Sequence, residues 1–210
     1  LSVPLALRTS GGEIVKRVEF ARQRETFAFE IAQEPLGVAL DAEFRLFRRL
    51  AGGEAPPILR AVMLASDVAM PAISADAGIR SAAQALADRI LEHPPRLPGG
   101  EGRSGTAALL VVGLHAEVDR WLARESLPAR PAAVAAGHGS AQVWMLQGDA
   151  ARAIAVISAA DPQALAALMR PLPHYGQQSF IVFDGDRATE RGIWPGQPQV
   201  WSLARPATRS

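Results

Sequence analysis

The chain has 210 residues and no cysteine. That absence removes disulfides, thiolate metal ligands and cysteine nucleophiles together. It leaves the compartment open between cytosol and periplasm, since both tolerate such a chain. Lysine is nearly missing as well: Lys16 is the only one, and arginine supplies the rest of the positive charge. The arginines are interleaved with acids and the formal net charge is +1, so no broad field favours nucleic acid or an anionic membrane. No run approaches the ~18 apolar residues of a membrane span, and a soluble chain is expected. The histidines are His93, His115, His138 and His174, with no two at i, i+4 and no H-E-x-x-H, so the usual helical zinc signature is lacking.

What is present is ordinary globular material. Hydrophobic residues make up 49% and charged residues 20%, enough for a real core in one large or two small domains. The first forty residues carry strand signals. Val3, Leu5 and Leu7 alternate with Pro4, Ala6 and Arg8, and Gly11-Gly12 turns the chain into Ile14–Phe20, a predicted hairpin. Thr26–Ile31 and Pro35–Asp41 alternate again, giving four expected strands and half of a β-sandwich. About forty residues are thin for an independent core, so this segment is expected to lean on a neighbour. Opening at Leu1 directly in strand alternation, the chain is expected to be cut from something longer. Phe44–Leu50 (FRLFRRL) reads as a basic amphipathic linker with Phe44, Phe47 and Leu50 at helical spacing, and Gly52-Gly53 and Pro56-Pro57 place a domain boundary near residue 50. The expected domains are 1–50, sandwich-like, and 51–210, α/β.

Beyond the boundary the pattern alternates. Leu59–Ala65 and Ala107–Leu114 are apolar runs read as strands, and Ile79–Leu91 and Glu117–Arg124 show helical periodicity. Ala132–Ala136 and Gln142–Gln147 are expected as weaker strands, with Gln147-Gly148-Asp149 turning back into Ala153–Ile157. Asp161-Pro162 has the form of an N-cap followed by proline at the first helical position. Phe180–Phe183 is a short strand apolar on both faces, closed by Asp184-Gly185-Asp186. Strand and helix in alternation predict an α/β fold with a mixed, mostly parallel sheet.

Few motifs carry chemistry. Gly100–Gly105 matches G-x-G-x-x-G, but it precedes a strand where a dinucleotide fingerprint must follow one. His115-Ala116-Glu117 matches half of a deaminase signature whose other half needs cysteines. His115 lies just past a strand's C-terminal end, where α/β proteins bind ligands. Asp184 and Asp186 on a glycine turn are a turn before they are a cation site. The most suggestive pair is His174 with Tyr175, the only tyrosine. An enzymatic reading makes them an acid/base pair near Ser158, Asp161 and Ser179 at one sheet edge. The structural reading packs both rings against the sheet.

One further signal is a resemblance. Leu172–Asp186 is similar to a segment LPHYGxxSFxxFxGD, followed here by Gly192-Ile193-Trp194; Val38–Leu50 is similar to a join VxLDPxFxLFRRL, with Pro56-Pro57-Ile58 after it; and VPLALRTSGGE agrees too. Together they resemble the C-terminal, non-catalytic region of bacterial zinc aminopeptidases of the aminopeptidase N (gluzincin) family. The resemblance covers most of the chain, weakly between residues 68 and 165. In that family the zinc helix and its downstream glutamate lie N-terminal to everything shown here, so no catalytic residue is carried over. It implies an accessory region that supports or caps a catalytic domain of the same polypeptide, or binds a peptide or protein, with zinc held only by the parent. Neither nucleic acid nor a cofactor in this chain is implied. The competing expectation is a stand-alone α/β hydrolase with its site near Asp67, His115, Ser158, Asp161 and His174.

Overall fold

The computed structural model describes residues 1–51, 53–96, 107–146 and 152–203. The G-x-G-x-x-G loop at 100–105 and the turn at 147–149 lie outside them. Numbered along the chain, the strands are β1 (Ser2–Thr9), β2 (Gly12–Glu19), β3 (Pro35–Leu40), β4 (Val68–Ala69), β5 (Ala108–Leu114), β6 (Ala141–Met145), β7 (Ile154–Ala159), β8 (Phe180–Asp184), β9 (Arg187–Gly192) and β10 (Val200–Ser202). The helices are α1 (Arg60–Met63), α2 (Ala77–Ile90), α3 (His115–Arg124) and α4 (Pro162–Ala167). The fold is an N-terminal β segment and a mixed α/β sheet, in two compact units: 1–55 with 196–210, and 56–195.

The first unit is a four-stranded sheet ordered β10-β3-β1-β2. The β1–β2 hairpin forms as its alternation and glycine turn require, with Thr9 opposite Gly12. Two expectations need correction. Thr26–Ile31 is not a strand; Phe27 instead meets Phe20 edge-on, centroids 5.1 Å apart, so side-chain packing rather than a ladder uses the alternation. The fourth strand is β10, paired antiparallel with β3 through Trp201 opposite Val38. The tail from Gly196, expected with the α/β domain, therefore belongs to this unit.

Phe44–Leu50 is likewise not helical. Its pattern serves a clamp. Asp41, fully buried, accepts hydrogen bonds from the backbone N–H of Arg45 (2.8 Å) and Leu46 (3.1 Å) and from Arg48 Nε (3.2 Å). Both Nη atoms of Arg48 donate to Glu54, each at 2.8 Å. Glu54 also accepts from Ala51 N–H at 2.6 Å and Gln199 N–H at 3.3 Å. Against the cost of burial, the Arg48 hydrogen bonds hold the Glu54 carboxyl down to about 2 and push the guanidinium higher still.

In the second unit a six-stranded sheet is ordered β4-β5-β7-β6-β8-β9. β4–β5 and β5–β7 are parallel; the other three pairs are antiparallel. The expected β6–β7 hairpin supplies one of those, and β9, a strand its polar sequence did not announce, supplies another. Strand residues alternate between two cores as the pleat demands. Leu110, Val112, Ile157, Val143 and Phe183 face α1, α2 and α4; Val111, Val156, Trp144 and Val182 face α3, where Val118, Trp121 and Leu122 pack. Being covered on both faces is why β5 reads as one apolar run.

Two more elements differ from expectation. Leu59–Ala65 contains the short helix α1, since Met63 N–H reaches the Leu59 carbonyl at 3.1 Å, and the true edge strand is β4. An apolar run this short fits either state by pattern. Ala132–Val134 is a 3-10 turn, closed from Val134 N–H to the Pro131 carbonyl at 3.0 Å.

Candidate functional site

The sheet separates the residues that the enzymatic reading grouped. Ser158 lies on β7 in the alternation that points to the α3 side, whereas Tyr175 packs with the opposite core and meets Phe183 edge-on, centroids 5.5 Å apart. His174 is exposed in the 3-10 turn Leu172–Tyr175. Asp161 caps α4, accepting from Ala164 N–H at 2.7 Å, so its carboxylate serves the helix terminus. Ser179 is buried and donates to the Pro57 carbonyl at 2.6 Å. Asp67 holds Arg96 by two hydrogen bonds of 2.5 and 2.6 Å. His174, Tyr175, Asp161 and Ser158 thus form no common site, because a β-sheet sends alternate side chains to opposite layers. Asp184 and Asp186 are exposed beside Gly185, whose φ of +60° explains the glycine there.

What the structure does bring together is Ser158 with His115. Gly113 of β5 stands opposite Ser158 of β7, and α3 begins two residues later. His115 Nδ1 lies 2.7 Å from Ser158 Oγ. Arg130 Nη2 also donates to that oxygen, at 2.8 Å. Arg130 is held in turn: Nη1 donates to Gln142 Oε1 at 3.1 Å, Nε to Asp119 at 3.0 Å, and the guanidinium lies 4.8 Å from the centroid of the Trp144 ring. Gln142 Nε2 donates to the His138 carbonyl at 2.6 Å. Burial above all, and the Arg130 charge next, push the His115 imidazolium below its ordinary 6.5, with Asp119 opposing. Both causes favour the neutral imidazole. Its Nε2 is buried and has no hydrogen-bond partner among the described residues.

A serine hydroxyl 2.7 Å from a neutral imidazole has the spacing of a nucleophile and its base. Two facts set its chemistry here. Ser158 is 0% exposed, so no substrate atom reaches Oγ. Arg130 also binds the oxygen and draws electron density away from any attack. As built, the cluster ties α3, the segment carrying Arg130 and strands β6 and β7 together. Sequence reading set His115 and Ser158 in one candidate site with Asp67, Asp161 and His174, and missed Arg130, Gln142 and Asp119. The one local signal for Arg130 was its position between Pro128 and Pro131, which fixes a loop without naming its target.

A second feature lies past the C-terminal ends of β4 and β5. There a cleft of about 430 Å³ opens between the segment 70–74 and the N-terminal half of α2. Met70, Ile73, Ile79 and Val112 line it, with Ser74, Arg80, Ser81 and Gln84 as its polar groups. Asp76 caps α2, accepting from Ile79 N–H at 2.9 Å. Ser74 donates to Glu117 at 2.7 Å, and Glu117 also accepts from Leu114 N–H at 3.1 Å, which pins the cleft floor to the start of α3. Among the described residues no group of three or more His, Asp or Glu side chains is placed to hold a metal ion. No described helix is long and apolar enough to cross a membrane. Compared with protein-family models, curated proteins and solved structures, the chain gives no match.

Proposed function

We propose that this chain is the non-catalytic C-terminal accessory region of a bacterial zinc aminopeptidase-like protein, in which the catalytic domain of the same polypeptide holds the zinc. The residues described here offer no ligand set for that ion, and no step is assigned to it in this chain. The observation that carries the reading is the state of the first unit. Both buried apolar clusters belong to the second unit, while Leu36, Phe47, Trp201 and Leu203 of the first stay exposed. A small sheet that leaves such groups in water is built to lie against something. The residues behind the resemblance support the same reading: the join is consumed by the Asp41–Arg48–Glu54 clamp, and the PHYG block by a turn and a buried strand.

The isolated chain, given zinc and aminoacyl-nitroanilide substrates, is expected to show no turnover. Turnover abolished by a chelator would overturn the reading. The reading frame upstream of Leu1 is expected to encode H-E-x-x-H.

The hydrolase reading has one observation in its favour, the 2.7 Å contact of His115 with Ser158. Nitrophenyl ester hydrolysis lost in a folded Ser158→Ala variant would favour it. The accessory reading expects Ser158→Ala to change stability alone.

A further inference from the structure

The cleft beside α2 has no part in the accessory reading, and it has the makings of a small-molecule site. Its volume, about 430 Å³, lies within the range of ~300–1,000 Å³ typical of ligand pockets. It opens past the C-terminal ends of two parallel strands, where open α/β sheets place ligands. The lining is apolar along Met70, Pro71, Ile73, Ile79, Ala83 and Val112, and it includes no carboxylate.

Of its polar residues, Ser74, Arg80, Ser81 and Gln84, Arg80 and Gln84 have hydrogen-bonding atoms that meet no partner among the described residues. Arg80 is exposed on α2, and its Nη1 is fixed by the carbonyls of Ser74 (3.2 Å) and Ala75 (2.5 Å). Its Nε and Nη2 donors meet no partner among the described residues, and it forms no ion pair there. Gln84, one turn further along the same helix, donates through Nε2 to Asp88 at 2.7 Å, while its Oε1 is buried and has no hydrogen-bond partner among the described residues. A buried amide oxygen left bare is costly. A donor entering the cleft and drawing out that oxygen would satisfy it.

We infer that this cleft binds a small apolar carboxylate that also carries an N–H donor, the class of an N-acylated branched amino acid. The carboxylate pairs with the free edge of the Arg80 guanidinium, the alkyl group fills the apolar lining, and the N–H meets Gln84 Oε1. An ammonium-bearing ligand is disfavoured, since Arg80 is the only charged residue lining the space among the described residues.

The test follows side-chain methyl resonances of Met70, Ile73, Ile79, Ala83 and Val112 in the full chain as probe is added. N-acetyl-L-leucine is expected to give saturable shifts with a Kd of about 1 mM or tighter. N-acetyl-L-leucinamide, which lacks the charge, and 4-methylpentanoate, which lacks the N–H, are each expected to bind about tenfold more weakly. Arg80→Gln should erase the difference between acid and amide. Gln84→Met should erase the difference between N-acetyl-L-leucine and 4-methylpentanoate. Ala72→Trp, an exposed rim position, should close the cleft to all three. Absence of saturable shifts in the folded wild-type chain overturns the inference. So does equal affinity for acid and amide, a comparison that needs no variant to fold, or undiminished binding to Ala72→Trp.

Discussion

At the residue scale, the buried side chains that matter most are charged or titratable, and their removal is asymmetric. His115 is held neutral beside Arg130. Its folded-state pKa is depressed, so its contribution to stability is complete above the ordinary value of 6.5 and is lost as pH falls below that. Urea midpoints measured from pH 7.5 down to about 5 should therefore fall more steeply for the wild type than for His115→Gln. Parallel curves would show that His115 is not the group responding. In the first unit, Arg48→Met would leave Asp41 and Glu54 buried without their cation. Loss of one partner from a buried pair costs about 3–5 kcal/mol, and hydrogen exchange of the β1 and β3 amides should report it. The wild-type clamp has its own acid limit: the Glu54 carboxyl stabilises the fold above 4.5, and that contribution drains away as pH falls toward about 2.

At the scale of elements, a glycine pair makes the sharpest comparison. Gly139 has φ +68°, and a Cβ there would run into the Phe183 carbonyl oxygen. Gly137 has open space around its Cβ position. Gly139→Ala should cost about 2 kcal/mol or more, while Gly137→Ala should be neutral or gain up to about 1 kcal/mol; thermal melts of the two distinguish them. Much of the element order was legible beforehand, because periodicity reports burial. Ala82 to Leu91 announced α2, the AALLVVGL run announced β5, and Asp161-Pro162 announced α4. Where one pattern serves two causes the reading slipped. Phe27 and Phe29 alternate without a ladder, and Phe44, Phe47 and Leu50 keep helical spacing in a segment bent around Arg48. The candidate site was less legible still. His115 meets Ser158 across 43 residues of chain, and Arg130 reaches the same oxygen from a loop with no periodicity. Tertiary pairings of that kind leave no trace in local pattern.

At the scale of the molecule, the two units should respond separately to loss of the tail. Truncation before Gly196 removes β10 and the Gln199 hydrogen bond to Glu54. Amide protection in β3 should fall, and the unfolding transition of 56–195, monitored at the buried Trp144, should stay where it was. A shift of both by the same amount would mean that the chain unfolds as one cooperative body.

The Gln197 N–H donates to the Glu54 carbonyl at 3.2 Å, so the point where the chain leaves the small sheet and the point where it re-enters are neighbours. The α/β unit is thus a cassette, a guest of 140 residues inserted between two neighbouring points of its host's chain. Such a guest can be lengthened, exchanged or excised across a short splice without disturbing the strand order of its host.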